Sequence, residues 1–329
     1  MKKSITFFSF FVCLAFRFSL PAEDLFPYTF SIAPQFGIFY GRGEEQVFKG
    51  EESNGLLSQL LWDLKPLYYG GVKTEFARKN PMGGFGFFGS LSLKFGFPAE
   101  SGSMEDRDWQ DAAGKLTNYS RHDAFTNGSV ILDLAAGPSI PIGANFALRP
   151  SLGISYTRFS WVAQNGYIRY GEKENGDYQP LKDFDLPQPI SGTVVSYSQD
   201  WTYMPIGLSL WIRPDRVFSG ALWFYGGPVL KFVGRDDHHF LNNTNARGQY
   251  WDEIIGGYSL EPGGEFRFSP VERVSLRLTC SWLRIAANPR GKYFARYTGA
   301  GNKEWNLQGN FSGGGFQTLD LGMRFEIRL

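Results

Sequence analysis

The sequence predicts an all-β fold, a ten-stranded antiparallel transmembrane β-barrel with long extracellular loops. Three observations carry this. Apolar and polar residues alternate over runs of ten or more positions, the period and length of a strand that crosses a bilayer. Aromatic residues make up 17% of the 329 positions and glycine occupies 40, yet the mean hydropathy is only −0.25. That is the average of two faces, where only every second strand residue needs to meet lipid. No stretch after residue 22 offers the roughly 18 uninterrupted apolar residues of a membrane helix. Soluble β-sandwiches alternate too, but their strands run to about five or six residues.

In chain order, residues 1–22 read as a secretory signal peptide. Lys2 and Lys3 form its basic start, Ile5 to Phe16 its apolar segment, and Ala22 its cleavage site; the barrel is then 23–329. Cys13 lies inside the apolar segment rather than at its end, which argues against a lipoprotein. Removing Lys2, Lys3 and Arg17 turns the formal charge from +1 to −2, a poor match for a nucleic-acid binder. Cys280 remains alone, so no intramolecular disulfide staples the fold.

In the first strand Tyr28, Phe30, Ile32, Phe36, Ile38 and Tyr40 alternate with small or polar residues. Gly84 to Gly89 formally match a dinucleotide-binding G-x-G-x-x-G, but they lie in an alternating run with no helix after it, so that context fails. Residues 274–284 set Val274, Leu276, Leu278, Cys280 and Trp282 against Ser275, Arg277, Thr279 and Ser281. The last run alternates from Thr318 to Leu329. Trp201, Trp211 and Trp223 read as interfacial girdle residues. Short turns near 78–83, 138–143, 213–217 and 269–273 separate long polar stretches near 41–55, 98–122, 163–191, 234–253 and 286–312. Four short turns and five long loops give ten strands, with both termini on the short-turn side and every long loop outside the cell.

All three histidines, His122, His238 and His239, fall in or beside those long loops, with Asp106, Asp108, Asp236 and Asp237. On extended backbone, positions i and i+2 share a face. Asp106 and Asp108 therefore pair, as do Asp237 with His239 and Asp236 with His238. In a closed ten-stranded sheet the two clusters come from opposite walls. A carboxylate pair facing an Asp–His pair suits hydrolysis by an activated water, the histidine acting as general base. Spacing alone also fits an ordinary solvated, charged loop. Zinc fits less well, since adjacent histidines point apart and no third His or Cys ligand is near.

These residues also carry a resemblance. Gly41 to Phe48 with Leu57-Ser-Gln-Leu60 and Trp62, Met104 to Asp111 (M-x-D-x-D-W-x-D), Ser120-Arg-His122, and Asp237-His-His239 occur in the order found in the omptins, ten-stranded outer-membrane endopeptidases. The chain resembles that family along essentially its whole mature length. The resemblance implies Asp106, Asp108, Asp237 and His239 as catalytic residues, with water between Asp106 and His239. This register is preferred over Asp236/His238 because Phe240-Leu241 follows and Arg247 falls at a matching place. Ser120 is set aside as a nucleophile, for want of a base and an orienter in sequence reach and because the family it resembles is not serine-dependent; it, His122, Asp236 and His238 line the cleft. Glu45 matches a substrate-binding acidic residue, but Arg235 stands two before Asp237, where a cation would repel a basic substrate side chain. Arg158 matches one member of a lipopolysaccharide-binding cluster, whereas Asp200 stands where another cation would be.

The resulting expectation is a monomeric endopeptidase of the outer membrane with an extracellular cleft. It acts on peptides or proteins, contacts outer-membrane lipids and needs no cofactor beyond an outer-leaflet glycolipid such as lipopolysaccharide. The alternative is a proteolytically inactive barrel serving as adhesin or invasin; a passive pore fits less well, because ten strands leave little lumen.

Overall fold

The computed structural model describes residues 28–329 except 51–54, 79, 81–82, 112, 175–176, 184, 240–246 and 298–303. The proposed signal peptide and Phe240-Leu241 lie outside the described residues. Ten antiparallel staves close into a ring. The first is Tyr28–Phe48 and the second Leu56–Arg78; the third is split into Gly86–Gly96 and Ala99–Asp108. Asn118–Ile142 and Phe146–Tyr170 follow, then the split sixth stave, Thr193–Tyr203 and Ile206–Ile212. The seventh is Phe218–His238, the eighth Gly248–Ile254 with Gly257–Val271, the ninth Val274–Ala287 with Gly291–Tyr297, and the tenth Asn306–Arg328. First and last staves pair from Ser31 opposite Arg328 to Phe48 opposite Phe311, so among the described residues the ring closes without an open edge.

Alternation decides which side chains face lipid. Phe30, Phe36 and Tyr40 are exposed on the first stave while Ser31, Ala33 and Gln35 are buried inside. On the ninth, Val274, Leu278, Cys280 and Trp282 face out and Ser275 and Arg277 face in. Beyond Tyr40 the outward positions become Arg42, Glu44 and Gln46, which marks the upper limit of the apolar band. Staves such as Asn118–Ile142, 25 residues long, exceed the about 9–11 needed to span the bilayer. The excess rises above the membrane as a continued wall. The stretches expected as long loops are therefore mostly strand: 41–48, 99–108, 163–170 and 234–238 all remain paired. Polarity there reflects loss of lipid contact rather than loss of sheet.

The three tryptophans expected at the interface face inward instead. Trp201 is fully buried and packs on Phe232, with centroids 4.2 Å apart. Trp211 lies under Arg149, and Trp223 lines the lower interior. The interior has three levels. At the short-turn end, arginines and glutamates pair across the lumen. Above them, one apolar cluster takes members from every stave, among them Phe39, Trp62, Met104, Phe159, Trp161 and Phe232. Trp62 stacks on Tyr197 at 5.4 Å, and Phe159 meets Phe316 at 4.6 Å. The third level, on this aromatic floor, is the cleft.

Candidate active site

The cleft has a volume of about 440 Å³. Its lining includes Glu45, Asp106, Asp108, Ser120, His122, Asp236 and His238. The third stave brings Asp106 and Asp108 to one inward face, opposite Ser120 and Asn118 of the fourth and Leu60 and Ser58 of the second. Asn118 Nδ2 donates to Asp108 Oδ2 at 3.1 Å, and the Ser58 hydroxyl bonds both carboxylates. Asp106 Oδ1 is buried without a hydrogen-bond partner among the described residues. Burial, reinforced by the neighbouring Asp108, pushes the Asp106 carboxyl well above its ordinary range; burial raises Asp108 too. Two carboxyls this confined titrate as a pair.

From the seventh stave, Asp236 and His238 point inward. His238 Nε2 lies 2.6 Å from Asp236 Oδ2, leaving Asp236 Oδ1 buried and unpartnered. Burial pushes the His238 imidazole down, but Asp236, then Asp106 and Asp108, outweigh it and lift the group to about 9. Nε2 thus carries the proton toward Asp236, and Nδ1 is the nitrogen left for a reacting group.

The neighbouring register points the other way. Asp237 accepts from Arg247 Nη2 at 2.7 Å and from Gln249 Nε2 at 3.1 Å on the outer side of the wall. His239 bonds the Ser196 hydroxyl through Nε2 at 2.9 Å and accepts from Arg247 at Nδ1. Asp237 and His239, the register preferred from sequence, are therefore placed away from Asp106 and Asp108, and Asp236 and His238 are placed with them. The cause is strand parity: stave seven stays paired through His238, so each one-residue step changes face. The flanking residues that favoured the other register cannot report parity.

The same parity relocates Arg235. Its guanidinium lies outside, 2.6 Å from Asp200 Oδ2, so it does not confront a substrate in the cleft. The inward neighbour is Gly234, where an added Cβ would lie 2.9 Å from Asp252 Oδ2. Asp252, which sequence reasoning missed, hydrogen-bonds Glu45 beneath the cleft. Burial first, then Asp252 and Asp236, raise Glu45 well above its ordinary value, and burial pushes Asp252 up to about 8. Each keeps a buried oxygen with no hydrogen-bond partner among the described residues. No local sequence signal marks Asp252, because Gly234 and Asp252 meet only across the sheet. Arg158 lies on the outer wall, with Nη1 3.3 Å from Asp200 Oδ1.

Ser120 and His122 also sit together. His122 Nδ1 donates to the Asn165 carbonyl, which fixes Nε2 as acceptor of the Ser120 hydroxyl at 2.9 Å. Burial lowers the imidazole, keeping it neutral. The absence of a base near Ser120, inferred from sequence, thus does not hold. Among the described residues no group of three or more His, Cys, Asp or Glu is arranged to hold a metal ion.

The omptin family model matches residues 26–327. The chain belongs to the omptin family. It is 28% identical over 271 residues to "Outer membrane protease OmpP" of Escherichia coli K12, covering 78% of this chain and 80% of that one. "Protease 7" of Escherichia coli O157:H7 is 24% identical over 241 residues, with 70% and 72% covered. The crystal structure of outer membrane protease OmpT from Escherichia coli superposes with a TM-score of 0.76 at 16% identity, covering 92% of this chain and 97% of that one. That likeness gives the fold. With the omptin family come the function and its place, a protease of the outer membrane with its cleft at the cell surface.

Proposed function

We propose that this omptin cleaves peptide bonds with a water activated between Asp106 and His238. The observation that carries this is the Asp236–His238 bond of 2.6 Å in the same cleft as the Asp106/Asp108 pair. Asp236 orients the imidazole; its neutral form takes a proton from water at Nδ1; Asp106 and Asp108, held by Asn118 and Ser58, position that water. The imidazolium then returns the proton to the leaving amine. The substrate is a peptide or protein segment entering from outside. Glu45 and Asp252, carboxylates with no cation beside them among the described residues, suit a lysine or arginine side chain next to the cleaved bond. Arg158 remains a proposed contact for an outer-leaflet lipid phosphate.

The test is cleavage of a peptide library by protein refolded in outer-membrane lipid. Asp106→Asn and His238→Ala each lower kcat/KM by roughly 100- to 10,000-fold. Full activity in His238→Ala with loss in His239→Ala overturns the assignment. One observation favours a second reading, a serine nucleophile: the Ser120–His122 bond of 2.9 Å. In that case Ser120→Ala abolishes cleavage and an acyl-enzyme accumulates in a burst. Under the water mechanism it costs less than about tenfold, roughly one hydrogen bond's worth.

A further inference from the structure

At the far end of the barrel from the cleft, a second cavity of about 60 Å³ opens among the short turns. Its walls hold seven arginines and two glutamates. Arg149, Arg267 and Arg277 form the deep part and are at least nine-tenths buried. Arg78, Arg213, Arg216 and Arg328 stand at the mouth. The glutamates are already shared. Glu75 takes Arg149 at 3.2 Å and Arg277 at 3.3 Å; Glu326 takes Arg267 at 2.5 Å and Arg328 at 3.1 Å, as well as Arg277. Arg277 Nε is buried with no hydrogen-bond partner among the described residues. Among the described residues, neither Arg213 nor Arg216 has a carboxylate within salt-bridge reach; Asp215 between them accepts from the Val217 and Phe218 amides instead. Positive charge this crowded and this poorly matched is costly in a low-dielectric lumen.

We infer that this cavity is an anion site that takes a phosphate-type oxyanion from the periplasmic side. Planar guanidinium groups converging from several staves match tetrahedral oxyanions, which they bind bidentately and with charge. Hydroxyls of Ser219 and Ser269 border the same space and add donors. At the about 10–15 Å³ one water needs, the cavity holds roughly four to six, comparable with the four oxygens of a phosphate group. Two sources offer that chemistry: a free phosphate or pyrophosphate, and the phosphodiester of an inner-leaflet lipid. The site stands apart from the proteolytic cleft, so it ties the periplasmic end of the staves together without contacting substrate.

Calorimetry on the full-length barrel in zwitterionic detergent, titrated with phosphate and with pyrophosphate over a chloride background, tests the inference. Native mass spectrometry of the barrel with phosphatidylglycerol or phosphatidylethanolamine tests the lipid source. The expected result is saturable binding of a phosphate species in preference to chloride. It weakens at least tenfold in an Arg213→Gln/Arg216→Gln double variant, while peptide cleavage is unchanged. Soluble phosphate binding identifies the free anion; retention of phosphatidylglycerol alone identifies the lipid headgroup. Either supports the site. No binding above chloride by any of these probes overturns it. So does binding undiminished in both the double variant and an Arg78→Gln/Arg328→Gln variant.

Discussion

Below the aromatic floor of this barrel, Glu75, Glu265 and Glu326 each meet at least one arginine within salt-bridge distance. Above it, Glu45, Asp106, Asp108 and Asp252 meet none among the described residues, and Asp236 meets only His238. The two levels use the same carboxylates behind the same wall of strands. What differs is compensation. A buried carboxylate matched by a guanidinium is ionised, fixed and silent, whereas one left with an orphan oxygen is poised to bind a cation, a proton or a water. At the lower level these three glutamates hold structure, and at the upper level the unmatched carboxylates store the cost of a site.

The largest effect that would sharpen this contrast is on stability. Arg277 touches Glu75, Glu265 and Glu326 at once. Arg277→Leu strips one charged hydrogen-bond partner from three buried carboxylates, although Arg149, Arg324, Arg267 and Arg328 remain beside them, and lowers unfolding stability by about 1.5–3 kcal/mol, read from urea denaturation in lipid. Removing a charge from the upper level has the opposite sign. Asp252→Asn relieves an unmatched pair and raises stability by about 1 kcal/mol at alkaline pH. Equal losses in both variants would erase the distinction between the levels.

The pH dependence divides along the same line. His238 is lifted to about 9, so near neutrality it is mostly imidazolium, held by the carboxylates around it. With neutral His238 as the proposed base, kcat/KM rises nearly tenfold per pH unit below about 9 and levels off above it. Stability runs the other way. A histidine whose folded value is raised above its ordinary 6.5 gives stabilisation that is complete below about 6.5 and lost as pH climbs through about 9. Asp252, raised to about 8, adds to that loss because the fold favours its protonated form. Activity and stability thus trade against each other between about 7 and 9. A rate that is flat across this window would remove His238 from the role of base.

The architecture was legible in the sequence because strand alternation is a local pattern: the outward Val274, Leu278 and Trp282 need no partner to be recognised. The Asp106/Asp108 pair and the two candidate Asp–His pairs were legible by the same i and i+2 spacing. Which pair on the seventh stave faces inward was not. Asp236-Asp237-His238-His239 satisfies both parities, and only the pairing of the whole stave with its neighbours, Asp236 beside Tyr250 and Tyr197, selects one. Asp252 was hidden for another reason. Its role depends on Gly234 of the adjacent strand making room, a relation across the sheet that no single run of residues displays. The inward turn of Trp201 and Trp223 was equally non-local, since a tryptophan at a strand's polar face looks like one at an interface until the face is known.

The smallest effect tests that parity most directly. His239 holds Ser196 on one nitrogen and Arg247 on the other, and Asp237 holds Arg247 and Gln249, all on the outside of the wall. Burial, with Arg247's charge set against that of Asp237, keeps His239 below its ordinary value, so it is neutral near pH 7. A neutral, accessible imidazole would be a ready base if it faced substrate. It faces away, and Arg247 already donates to its Nδ1, which fixes the proton on the nitrogen turned to Ser196. Under the proposed assignment, His239→Ala removes two hydrogen bonds on the outside of the wall and nothing from the reaction. The expected change is less than twofold in kcat/KM and within about 0.5 kcal/mol in stability. Because His238→Ala alters the adjacent residue of the same strand, the pair of variants differs in almost nothing except the face of the sheet. A hundredfold or greater gap between them isolates strand parity as the property that separates a catalytic histidine from a structural one.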